Sequence, residues 1–389
     1  MDALRKILAR ATPLARIEAT PLHQAAGRIL ARAVKAKLTM PPCNRSERDG
    51  YAVRASDCTR PGALLTQIGV AVAGSPFRAK VGAGQCVRIA TGAVMPPGTD
   101  AVVMFEDADD RDGSILARHA VERFSWVART GSDMRRGRPL AARGDSITPA
   151  QISVIAANGH REVKVFARPR VLLFTTGDEV KRHGERLSPG DVYDGNTAAL
   201  AALLSRHGAE VTLRDNVQDS LAALRRTLKS ASTRFDLVVF SGGTSVGDRD
   251  FGRRALDAEG RTEIHGISLK PGKPLLFGSV GRCLVFGLPG FPTSCLLVAY
   301  VMVIPALRSM ARAGTDAQRI TRHILAEPLQ PDLERLYVAP VALDAKNMAH
   351  PVFKGSASLT SVSDAAGYVI LEAGLAAVEA GSEVAVHRW

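Results

Sequence analysis

The residues of this chain that could do chemistry are concentrated in the stretch SGGTSVGDRD, which follows the apolar run LVVF at residues 237–240. Adjacent Gly242 and Gly243 let the backbone turn its N–H groups inward as a nest for an anion. Thr244 and Ser245 add hydroxyl donors beside them. The stretch has no lysine for a P-loop and lacks the glycine spacing of a dinucleotide-binding fingerprint. It therefore indicates a loop that binds a phosphate-bearing ligand.

Carboxylates beside this loop alter the charge that a bound phosphate would meet. Asp248 and Asp250 would repel a bare phosphate, whereas Mg²⁺ is commonly held by one or two carboxylates together with substrate phosphates. Glu179, in the segment LLFTTGDEV, offers another carboxylate after a second apolar run. We therefore expect a bridging cation at this site. The alternative is that the aspartates are surface charges that cap the helix after Asp250.

Two lysines and one further aspartate complete the set of candidates. The segment SLKPGKPLLFG places Lys270 and Lys273 three residues apart across a Pro-Gly turn, and a lysine ammonium suits an oxyanion. The alternative of two solvated surface lysines is less favoured because the flanking prolines hold them rigidly. Asp49 lies in NRSERDGYAV at the start of a strand, where Asp-Gly is an ordinary turn signal. Its spacing alone favours a structural role.

These residues need a common scaffold, and the pattern of residues 168–314 predicts one. Apolar runs that end in glycine alternate with helical segments such as NTAALAALLSRHGAEVTL, which is typical of a mostly parallel, doubly wound sheet. In that helix we expect Asn196 as the N-cap and Gly208 as the stop. The loops LLFTTGDEV, LVVFSGGTSVGDRD and LVFGLPGFPTS should then emerge at one carboxyl edge of the sheet, where ligands bind in such folds.

The remaining segments are predicted to be helical or β-rich. Residues 1–35 carry apolar side chains at helix spacing, and residues 38–143 contain short β-rich runs between Pro and Gly. The segment DSITPAQISVIAANG returns to helix, with Pro149 inside its start and Gly159 at its stop. The chain becomes β-rich again towards its C-terminus. The most hydrophobic stretch, residues 294–307, is too short to span a bilayer and predicts a buried helix.

Composition narrows the class of protein. The net charge of +13 would suit a small anion, a membrane surface or nucleic acid, but the positive charges are spread out and aromatic residues make up only 5%. We favour a basic surface that attracts small anions over a nucleic-acid-binding protein. Five cysteines without a CxxC pair argue against a zinc ribbon or a disulfide framework and indicate reduced, cytosolic thiols. The N-terminus lacks the uninterrupted apolar core of a signal peptide.

Several motifs together resemble the MoeA family of molybdopterin molybdenumtransferases, which includes the gephyrin E domain. They are DGYAV, RIATGAVMPPGTDAVVM, TTGDEV, YDGN, GGTSVGDRD, LKPGKP and GLPGFP, in the order of the family and over essentially the whole chain. The resemblance implies a multi-domain α/β protein. Its central domain would be a MogA-like α/β molybdopterin-binding domain, accompanied by helical, β-rich and small C-terminal β-barrel domains.

The resemblance also implies where these four domains lie. Domain I, elongated and helical, would comprise residues 1–37 plus 143–167. The β-rich domain II, residues 38–142, would be inserted into it. Domain III, the α/β molybdopterin-binding domain, would span residues 168–315, and the small β-barrel of domain IV residues 316–389.

The activity that the resemblance implies is a transferase step of molybdenum cofactor biosynthesis. Such enzymes insert molybdate into the dithiolene of adenylylated molybdopterin and release AMP, assisted by Mg²⁺. They are cytoplasmic homodimers whose active site is shared between domain III of one subunit and domain II of the other. Molybdopterin adenylyltransferase and apo-molybdoenzymes would be the partners, with no nucleic acid and no membrane involved.

Residue by residue, the resemblance assigns roles to positions of this sequence. The catalytic positions are Asp49, Thr91, Glu179, Asp219 and Asp250. Of these, Asp49 would come from the partner subunit, and Asp250 with Glu179 would hold the Mg²⁺. The residues that would bind the substrates are Gly242, Gly243, Thr244, Ser245, Lys270, Lys273, Pro289 and Pro292.

Three departures from the family pattern leave a second function open. Asn44–Arg48 stand where members usually have DNSAM, and Arg138–Pro139 replace an acid pair that usually follows a glycine. Phe291 replaces a polar residue within the GLPGFP motif. The alternative function is therefore that of a MoeA-like paralogue, which binds pterin cofactor or delivers it to a molybdoenzyme without efficient metal insertion.

Overall fold

The chain is represented by a computed structural model that describes residues 2–243, 250–314 and 320–389. These residues divide into two units, one made of residues 1–18 and 166–389 and the other of residues 19–165. Each unit contains hydrophobic cores of its own. The predicted Thr244, Ser245 and Asp248 lie outside the described residues.

Helices are distributed over the described part of the chain as follows. The α-helices are α1 (Asp2–Arg10), α2 (Pro149–Ala157), α3 (Gly195–Arg206), α4 (Leu221–Ala231), α5 (Phe251–Glu259), α6 (Pro292–Val298), α7 (Ile304–Met310) and α8 (Thr360–Ser363). Short 3₁₀ turns occur at Leu22–Gln24, Ala55–Asp57 and Phe105–Asp107, and a π-helical segment at Ala299–Val303 joins α6 to α7.

Strands are more numerous and mostly short. In chain order they are β1 (Ile17–Pro21), β2 (Val34–Lys35), β3 (Arg45–Ser46), β4 (Gly50–Val53), β5 (Ala63–Ala71), β6 (Gln85–Ile89), β7 (Ala101–Met104), β8 (Ala108–Arg111), β9 (Ser114–Ala117), β10 (Val127–Ala128), β11 (Pro139–Ala141), β12 (Glu162–Phe166), β13 (Arg170–Thr175), β14 (Val180–Lys181), β15 (Val192–Tyr193), β16 (Glu210–Leu213), β17 (Leu237–Ser241), β18 (Arg261–His265), β19 (Leu269–Lys270), β20 (Leu276–Val280), β21 (Cys283–Leu288), β22 (Ile320–Leu325), β23 (Leu336–Leu343), β24 (Met348–Pro351), β25 (Gly367–Leu371) and β26 (Glu383–Arg388).

The unit of residues 1–18 and 166–389 is built on a six-stranded sheet with the order β16-β13-β17-β21-β20-β18. Strands β16, β13, β17 and β21 run parallel, and β20 and β18 add an antiparallel edge. The register pairs Thr175 with Ser241 and Ser241 with Leu288, so the carboxyl ends of β13, β17 and β21 lie side by side. The predicted sheet is confirmed, and so is the meeting of three loops at one edge.

Both faces of this sheet are buried under helices. Leu173 and Val239 belong to one core together with residues of α1, α3 and the helices that follow β21. Phe174 and Phe240 belong to the opposite core with residues of α4 and α5, and their rings stack with centroids 5.4 Å apart. Because both faces are covered, these strands read in the sequence as continuous apolar runs.

The predicted buried helix is confirmed by the helical segment Pro292–Met310. The prediction that this stretch is too short to span a bilayer is wrong, because the helical segment has 19 residues and a mean hydropathy of 1.6, but 72% of its most apolar part is buried inside the protein. The π-helical segment immediately precedes the turn that contains Pro305. A proline within a helix removes a backbone hydrogen bond, and a π-helical segment is one place where such irregularity is accommodated.

A small barrel forms the C-terminal part of the same unit. Strands β23, β24, β22, β26 and β25 follow one another in the sheet, and β25 pairs back with β23. This closure leaves no open edge in the ring of five strands. Strand β19 adds to it by pairing Leu269 with Leu336 in parallel register. The predicted small C-terminal β-barrel is therefore present.

The unit of residues 19–165 contains a six-stranded sheet with the order β7-β4-β6-β5-β9-β8. Successive residues of its strands enter opposite cores, as strand geometry requires: Tyr51 and Val103 pack on one face, Ala52 and Val102 on the other. Two-stranded ladders join β3 to β10 and β2 to β11. The prediction that residues 38–143 are β-rich is confirmed.

Helix α2 confirms the predicted return to helix. Thr148 is its N-cap and forms a capping box with Gln151, and Pro149 is its first residue. Gly159 follows the helix end with a φ of +78°, a conformation that favours glycine.

The prediction that residues 1–35 are helical is wrong beyond Arg10. Ile17–Pro21 is a strand and Leu22–Gln24 is a single 3₁₀ turn. Gly27 adopts a φ of +72°, which is incompatible with a continuing right-handed helix. Leu30 is nevertheless fully buried in a small core. The apolar residues are therefore buried from turns and extended segments that alternate along the chain, and they do not form one face of a helix.

The predicted N-cap of α3 is also wrong. Asp194 is the N-cap: its Oδ1 accepts the N–H of Thr197 at 2.9 Å, and its Oδ2 accepts the hydroxyl of Thr175 at 2.8 Å. Asn196 lies two residues later, inside the first turn. The predicted stop at Gly208 is confirmed by its φ of +90° directly after the C-cap.

Candidate active site

Main-chain packing at the carboxyl edge of the α/β sheet fixes the start of the glycine loop. Gly242 and Gly243 have φ values of +91° and +61°, which favour glycine. A Cβ atom on Gly242 would overlap the carbonyl oxygen of Thr176. The N–H of Gly242 donates to the carbonyl of Leu288 at 3.1 Å. The three loops are thus in contact through their backbones, and no side chain fits between them.

Asn196 connects two of these loops by side-chain hydrogen bonds. Its Nδ2 donates to the hydroxyl of Ser241 at 2.7 Å and to the carbonyl of Gly290 at 2.8 Å. Ser241 in turn donates to the carbonyl of Pro289 at 3.0 Å. Sequence reasoning missed this role because it placed Asn196 as a helix cap. The YDGN motif could have indicated this role, because its aspartate, Asp194, can cap the helix and leaves the side chain of Asn196 available for other contacts.

Two of the predicted carboxylates lie at this edge. The hydroxyl of Thr176 donates to Asp219 Oδ1 at 3.3 Å, and a Cβ atom on Gly243 would lie 3.4 Å from the same oxygen. The carboxylate of Glu179 folds back over Gly177, where an added Cβ atom would lie 2.9 Å from either oxygen, and the side chain is exposed. The structure therefore brings Asp219 next to the glycine loop and leaves Glu179 open to solvent after β13.

Asp250 is buried, with 7% of its surface exposed, and is held from two sides. Its Oδ1 accepts the backbone N–H of Arg253 at 3.1 Å, which makes it the N-cap of α5. Its Oδ2 lies 2.6 Å from Nε2 of His265. Asp250 thus caps the helix as the alternative predicted, but it is buried and is not the surface charge that the alternative assumed. The carboxylate keeps further lone pairs beyond these two contacts, because an ionised carboxylate offers about four acceptor positions.

Lys270 is ion-paired in this structure. Its Nζ lies 3.2 Å from Asp332 Oδ2 and 5.4 Å from the ring centroid of Tyr337. Arg335 shares the same carboxylate at 3.0 Å, and this hydrogen bond is the main reason that the pKa of Asp332 lies far below its usual range. Asp332 neutralises part of the Lys270 charge and holds the ammonium group in place.

Lys273 is exposed and lines a cavity of about 370 Å³ together with His265, Glu334 and Arg335. The lining of this cavity is therefore polar, with Lys273 and Arg335 as cations and Glu334 as a carboxylate. Sequence reasoning missed Arg335, because its position beside Lys273 depends on the pairing of β19 with β23. Such a lining suits a small oxyanion.

The two predicted prolines have different surroundings. Pro289 is buried and its carbonyl accepts the Ser241 hydroxyl, whereas Pro292 is the first residue of α6. Phe291, which lies between them, is 60% exposed. An exposed phenylalanine at this point adds apolar surface where the family pattern has a polar residue.

In the unit of residues 19–165, Asp49 and Thr91 are in direct contact. Asp49 Oδ1 accepts the N–H of Thr91 at 2.7 Å and its hydroxyl at 3.0 Å. The backbone bond, followed by the hydroxyl, holds the pKa of the Asp49 carboxyl below its usual value. The register of β4 on β6 pairs Gly50 with Ile89 and so places both residues at the same strand ends. Two positions assigned independently by the resemblance thus lie together.

The altered residues around Asp49 take part in local contacts. Arg48 lies over the ring of Trp126 at 4.9 Å, and Asn44 Oδ1 accepts the N–H of Thr130 at 2.9 Å. Arg138, in the second departure from the family pattern, donates to the carbonyl of Asp133 at 2.9 Å. These substitutions are accommodated without loss of the Asp49 hydrogen bonds.

The donor chemistry at the sheet edge fits a magnesium ion. Among the described residues no group of three or more His, Cys, Asp and Glu side chains converges on one point. Mg²⁺ does not require such a cage, because it usually takes one or two carboxylates and completes its shell with phosphates and water. Asp250 and Glu179 supply hard oxygen ligands of this kind.

Cysteine chemistry is disfavoured at the buried positions. All five cysteines are free thiols, and four of them are buried. Burial raises the pKa of Cys58 to about 11 and that of Cys86 and Cys283 to about 12. A thiol with such a pKa is a poor nucleophile and a poor metal ligand at neutral pH.

Most of the chain matches three family models, which follow one another along the sequence. Residues 1–159 match the MoeA N-terminal region (domain I and II), residues 172–309 a probable molybdopterin binding domain, and residues 322–389 the MoeA C-terminal region (domain IV). The fold and this order of regions define a protein of the molybdopterin-handling class.

Individual relatives agree with this class. The chain is 34% identical over 290 residues to the molybdopterin molybdenumtransferase of Haemophilus influenzae, which is 74% of this chain and 72% of that protein. It is 35% identical over 301 residues to the enzyme of the same name from Nostoc, covering 75% and 69%. A crystal structure of the molybdopterin biosynthesis moea protein from Pyrococcus horikosii matches with a TM-score of 0.85 and 33% identity over 99% of this chain and 98% of that one. The chain belongs to the MoeA family of molybdenum cofactor biosynthesis transferases, as its motifs predicted.

Proposed function

We propose that this protein inserts molybdate into the dithiolene of adenylylated molybdopterin and releases AMP. The observation that carries the proposal is the similarity to molybdopterin molybdenumtransferases over about three quarters of the chain, together with its match to all MoeA regions. The alternative of a paralogue that only binds or delivers the cofactor is less supported. The Asp49–Thr91 contact and the carboxylates at the sheet edge are retained despite the departures in sequence.

The glycine loop would hold the phosphate of the pterin. Gly242 and Gly243 would present backbone N–H groups, supplemented by Thr244 and Ser245. Asn196 would keep this loop in register with Pro289 and its neighbour Gly290. Cleavage of a phosphoanhydride link depends mainly on positioning and on neutralisation of charge, and a main-chain cradle supplies positioning without side-chain reorganisation.

Carboxylates would bind the cation and position the leaving nucleotide. Asp250 and Glu179 would hold Mg²⁺, which when bound neutralises phosphate charge. Asp219 would lie next to the phosphate. Its hydrogen bond with the Thr176 hydroxyl would orient the residues around the phosphate. The buried Asp250 would supply a fixed ligand and the exposed Glu179 an adjustable one.

The lysines would receive the molybdate oxyanion. Lys273 and Arg335 line one cavity. Lys270 adjoins this cavity because it shares the carboxylate of Asp332 with Arg335. A group of point charges held by backbone and ion pairs is suited to a tetrahedral dianion. Pro289 and Pro292 would shape the neighbouring wall.

Asp49 and Thr91 would complete the site from the partner subunit of a homodimer. The four domains would keep the boundaries implied by the resemblance: residues 1–37 with 143–167, 38–142, 168–315 and 316–389. We propose a cytoplasmic enzyme that takes its substrate from molybdopterin adenylyltransferase and passes its product to apo-molybdoenzymes. Neither nucleic acid nor a membrane has a role in this proposal.

The test is an anaerobic assay of AMP release. Purified protein is incubated with adenylylated molybdopterin, molybdate and Mg²⁺, and nucleotide is quantified over time. We expect AMP release that requires both molybdate and Mg²⁺ and that Asp250→Asn abolishes. Glu383→Gln, which changes an exposed carboxylate of the barrel, serves as the matched control and should leave the rate unchanged. Tight pterin binding without AMP release would contradict the transferase and favour the delivery protein.

A further inference from the structure

We infer that His265 is a positioning residue that fixes the orientation of Asp250 through the close contact of its Nε2 with Asp250 Oδ2. This inference rests on the proposed function, because it assigns His265 a role in the site that Asp250 serves. No motif singled out His265, which lies at the end of β18 and 15 residues along the chain from Asp250. The contact arises only when β18 returns beside α5.

The contact itself is close and exclusive. Asp250 Oδ2 and His265 Nε2 lie 2.6 Å apart, and the two side chains are 9% and 23% exposed. Both atoms are buried, and neither forms a hydrogen bond of regular geometry with the residues that the structure describes, so their 2.6 Å approach is a close polar contact. A buried carboxylate oxygen without a partner is costly, so each of these two groups depends on the other.

The neighbouring arginine determines which nitrogen of His265 carries the proton. Arg253 Nη1 lies 3.5 Å from His265 Nδ1. A guanidinium can only donate, so Nδ1 must be the acceptor and the proton of the neutral ring belongs on Nε2. The protonated nitrogen is therefore the one that lies against Asp250. The same residue, Arg253, donates its backbone N–H to the other oxygen of Asp250 at 3.1 Å.

The hydrogen bond on Oδ1 and the close contact of His265 on Oδ2 restrict rotation of the Asp250 carboxylate. A helix cap alone would hold Oδ1 and leave Oδ2 free to turn about the side-chain bond. With His265 in place, the remaining lone pairs have fixed directions, which is what a preorganised cation ligand needs. His265 thereby acts through Asp250 and need not touch the substrate.

The position of His265 also connects the two halves of the proposed site. His265 pairs with Leu276 in the ladder between β18 and β20, and the segment between these strands carries Lys270 and Lys273. His265 itself lines the cavity of Lys273 and Arg335. The residue that fixes the metal-side carboxylate is thus on the same hairpin as the oxyanion-side lysines. A shift of the lysine segment would be transmitted to Asp250.

The contact between His265 and Asp250 can be tested without any substrate. Protein labelled with ¹⁵N-histidine would show the ring nitrogens by NMR, and His265→Gln would assign the signal. We expect a protonated Nε2 and an unprotonated Nδ1 for His265, and a changed Nε2 signal in Asp250→Asn. A proton on Nδ1, or a His265 signal that Asp250→Asn leaves unchanged, would overturn the inference.

The functional consequence can be tested by cation binding and by turnover. Mn²⁺ binding is measured by electron paramagnetic resonance, and the dependence of AMP release on Mg²⁺ is measured in the same variants. Loss of a residue that orients a metal ligand typically costs about ten- to hundredfold in affinity or rate, and we expect this for His265→Ala. His265→Gln, whose amide nitrogen can occupy the Nε2 position, should recover most of the loss. His119→Gln, at an exposed histidine, is the control.

The possible outcomes separate this inference from the proposed function. If the protein releases no AMP, the transferase proposal fails, while the NMR and Mn²⁺ results still decide the role of His265. If AMP is released and His265→Ala binds Mn²⁺ and turns over like the wild type, the positioning role is wrong. Equal loss in His265→Ala and His265→Gln would show that the ring is needed for packing alone, which also overturns the inference.

Discussion

Asp49 and Asp250 are proposed to serve one reaction, yet the protein holds these two carboxylates in opposite ways. Asp49 is exposed, and both of its hydrogen bonds, from the N–H and the hydroxyl of Thr91, fall on Oδ1. Asp250 is 7% exposed, accepts a backbone N–H on Oδ1 and is in close contact with His265 through Oδ2. The first carboxylate keeps one oxygen for a ligand that arrives from outside, whereas the second is fixed within its own unit.

The surroundings of Asp250 are also more rigid than those of Asp49. The edge that bears Asp250 is built by backbone packing, with Gly242 in contact with Thr176 and hydrogen bonds that join the loops. Asp49 depends on a single neighbouring side chain and on the end of a strand. The comparison teaches that the sheet edge is a rigid receptor and that the Asp49–Thr91 pair is an adaptable element. Substitutions should therefore cost more stability at the edge than around Asp49.

The largest effect is expected from Gly242→Ala. The new methyl group would overlap the Thr176 carbonyl, and the residue would remain at a φ of +91°. Gly208→Ala is the matched control, because Gly208 has a φ of +90° and no atom within 4 Å of an added Cβ. We expect Gly242→Ala to lower the free energy of unfolding by about 1–3 kcal/mol more than the control, the usual cost of forcing atoms into a packed region. Chemical denaturation measures both, and equal losses would contradict the rigid edge.

A smaller loss of stability is expected from Asn196→Ala. The substitution removes the donor to the Ser241 hydroxyl and to the Gly290 carbonyl, and unsatisfied groups of this kind cost about 1–3 kcal/mol when buried. Asn44→Ala, which loses two exposed hydrogen bonds with Thr130, provides the comparison and should cost about 0.5–1.5 kcal/mol at most. Thermal unfolding of the two variants tests the difference. A larger loss in Asn44→Ala would invert the comparison between the two regions.

The smallest effect on stability is expected from Thr91→Val, which instead changes a pKa. The backbone N–H of Thr91 remains but its hydroxyl is lost, so the lowered pKa of Asp49 should rise part of the way to its usual value. Because the folded pKa is lowered, these bonds stabilise the folded protein above the ordinary pKa range of the carboxyl. That contribution is lost as the pH falls through the lowered pKa.

Carbon-13 NMR of the Asp49 carboxyl would follow this titration in the wild type and in Thr91→Val. Thr91→Ser is the control, because it keeps the hydroxyl and should keep the lowered pKa. If Thr91→Val leaves the titration of Asp49 unchanged, the side-chain bond has no part in holding the carboxylate.

The sequence predicts those parts of the fold that depend on local pattern. Apolar runs that end in Gly177 or Gly242 identified the strands and placed three loops at one edge, because the direction of parallel strands determines where their loops emerge. The prediction failed for residues 17–30, where apolar spacing suited a helix but Gly27 and the strand before it imposed another path. Periodicity alone cannot separate a helical face from buried turns.

The site was predictable only in part, and the reason is sequence distance. The glycines and acids of the edge are adjacent to strand ends, so their positions follow from the sheet. The contact between Asp250 and His265, and that between Asn196 and Gly290, depend on how distant segments return in the fold. Asp49 illustrates the other limit, because its spacing favoured a structural turn and only the resemblance to a family assigned it to the site.

The most direct test of the account uses heterodimers of two inactive variants. Asp49→Asn and Asp250→Asn carry different tags, are co-expressed, and the doubly tagged dimer is assayed for AMP release. If one site takes Asp49 from one subunit and Asp250 from the other, the heterodimer contains one intact site of two and should show about half of the wild-type activity, while each homodimer shows none. A heterodimer as inactive as its parents, or an Asp49→Asn homodimer that turns over normally, would contradict the claim that these two carboxylates serve one shared site.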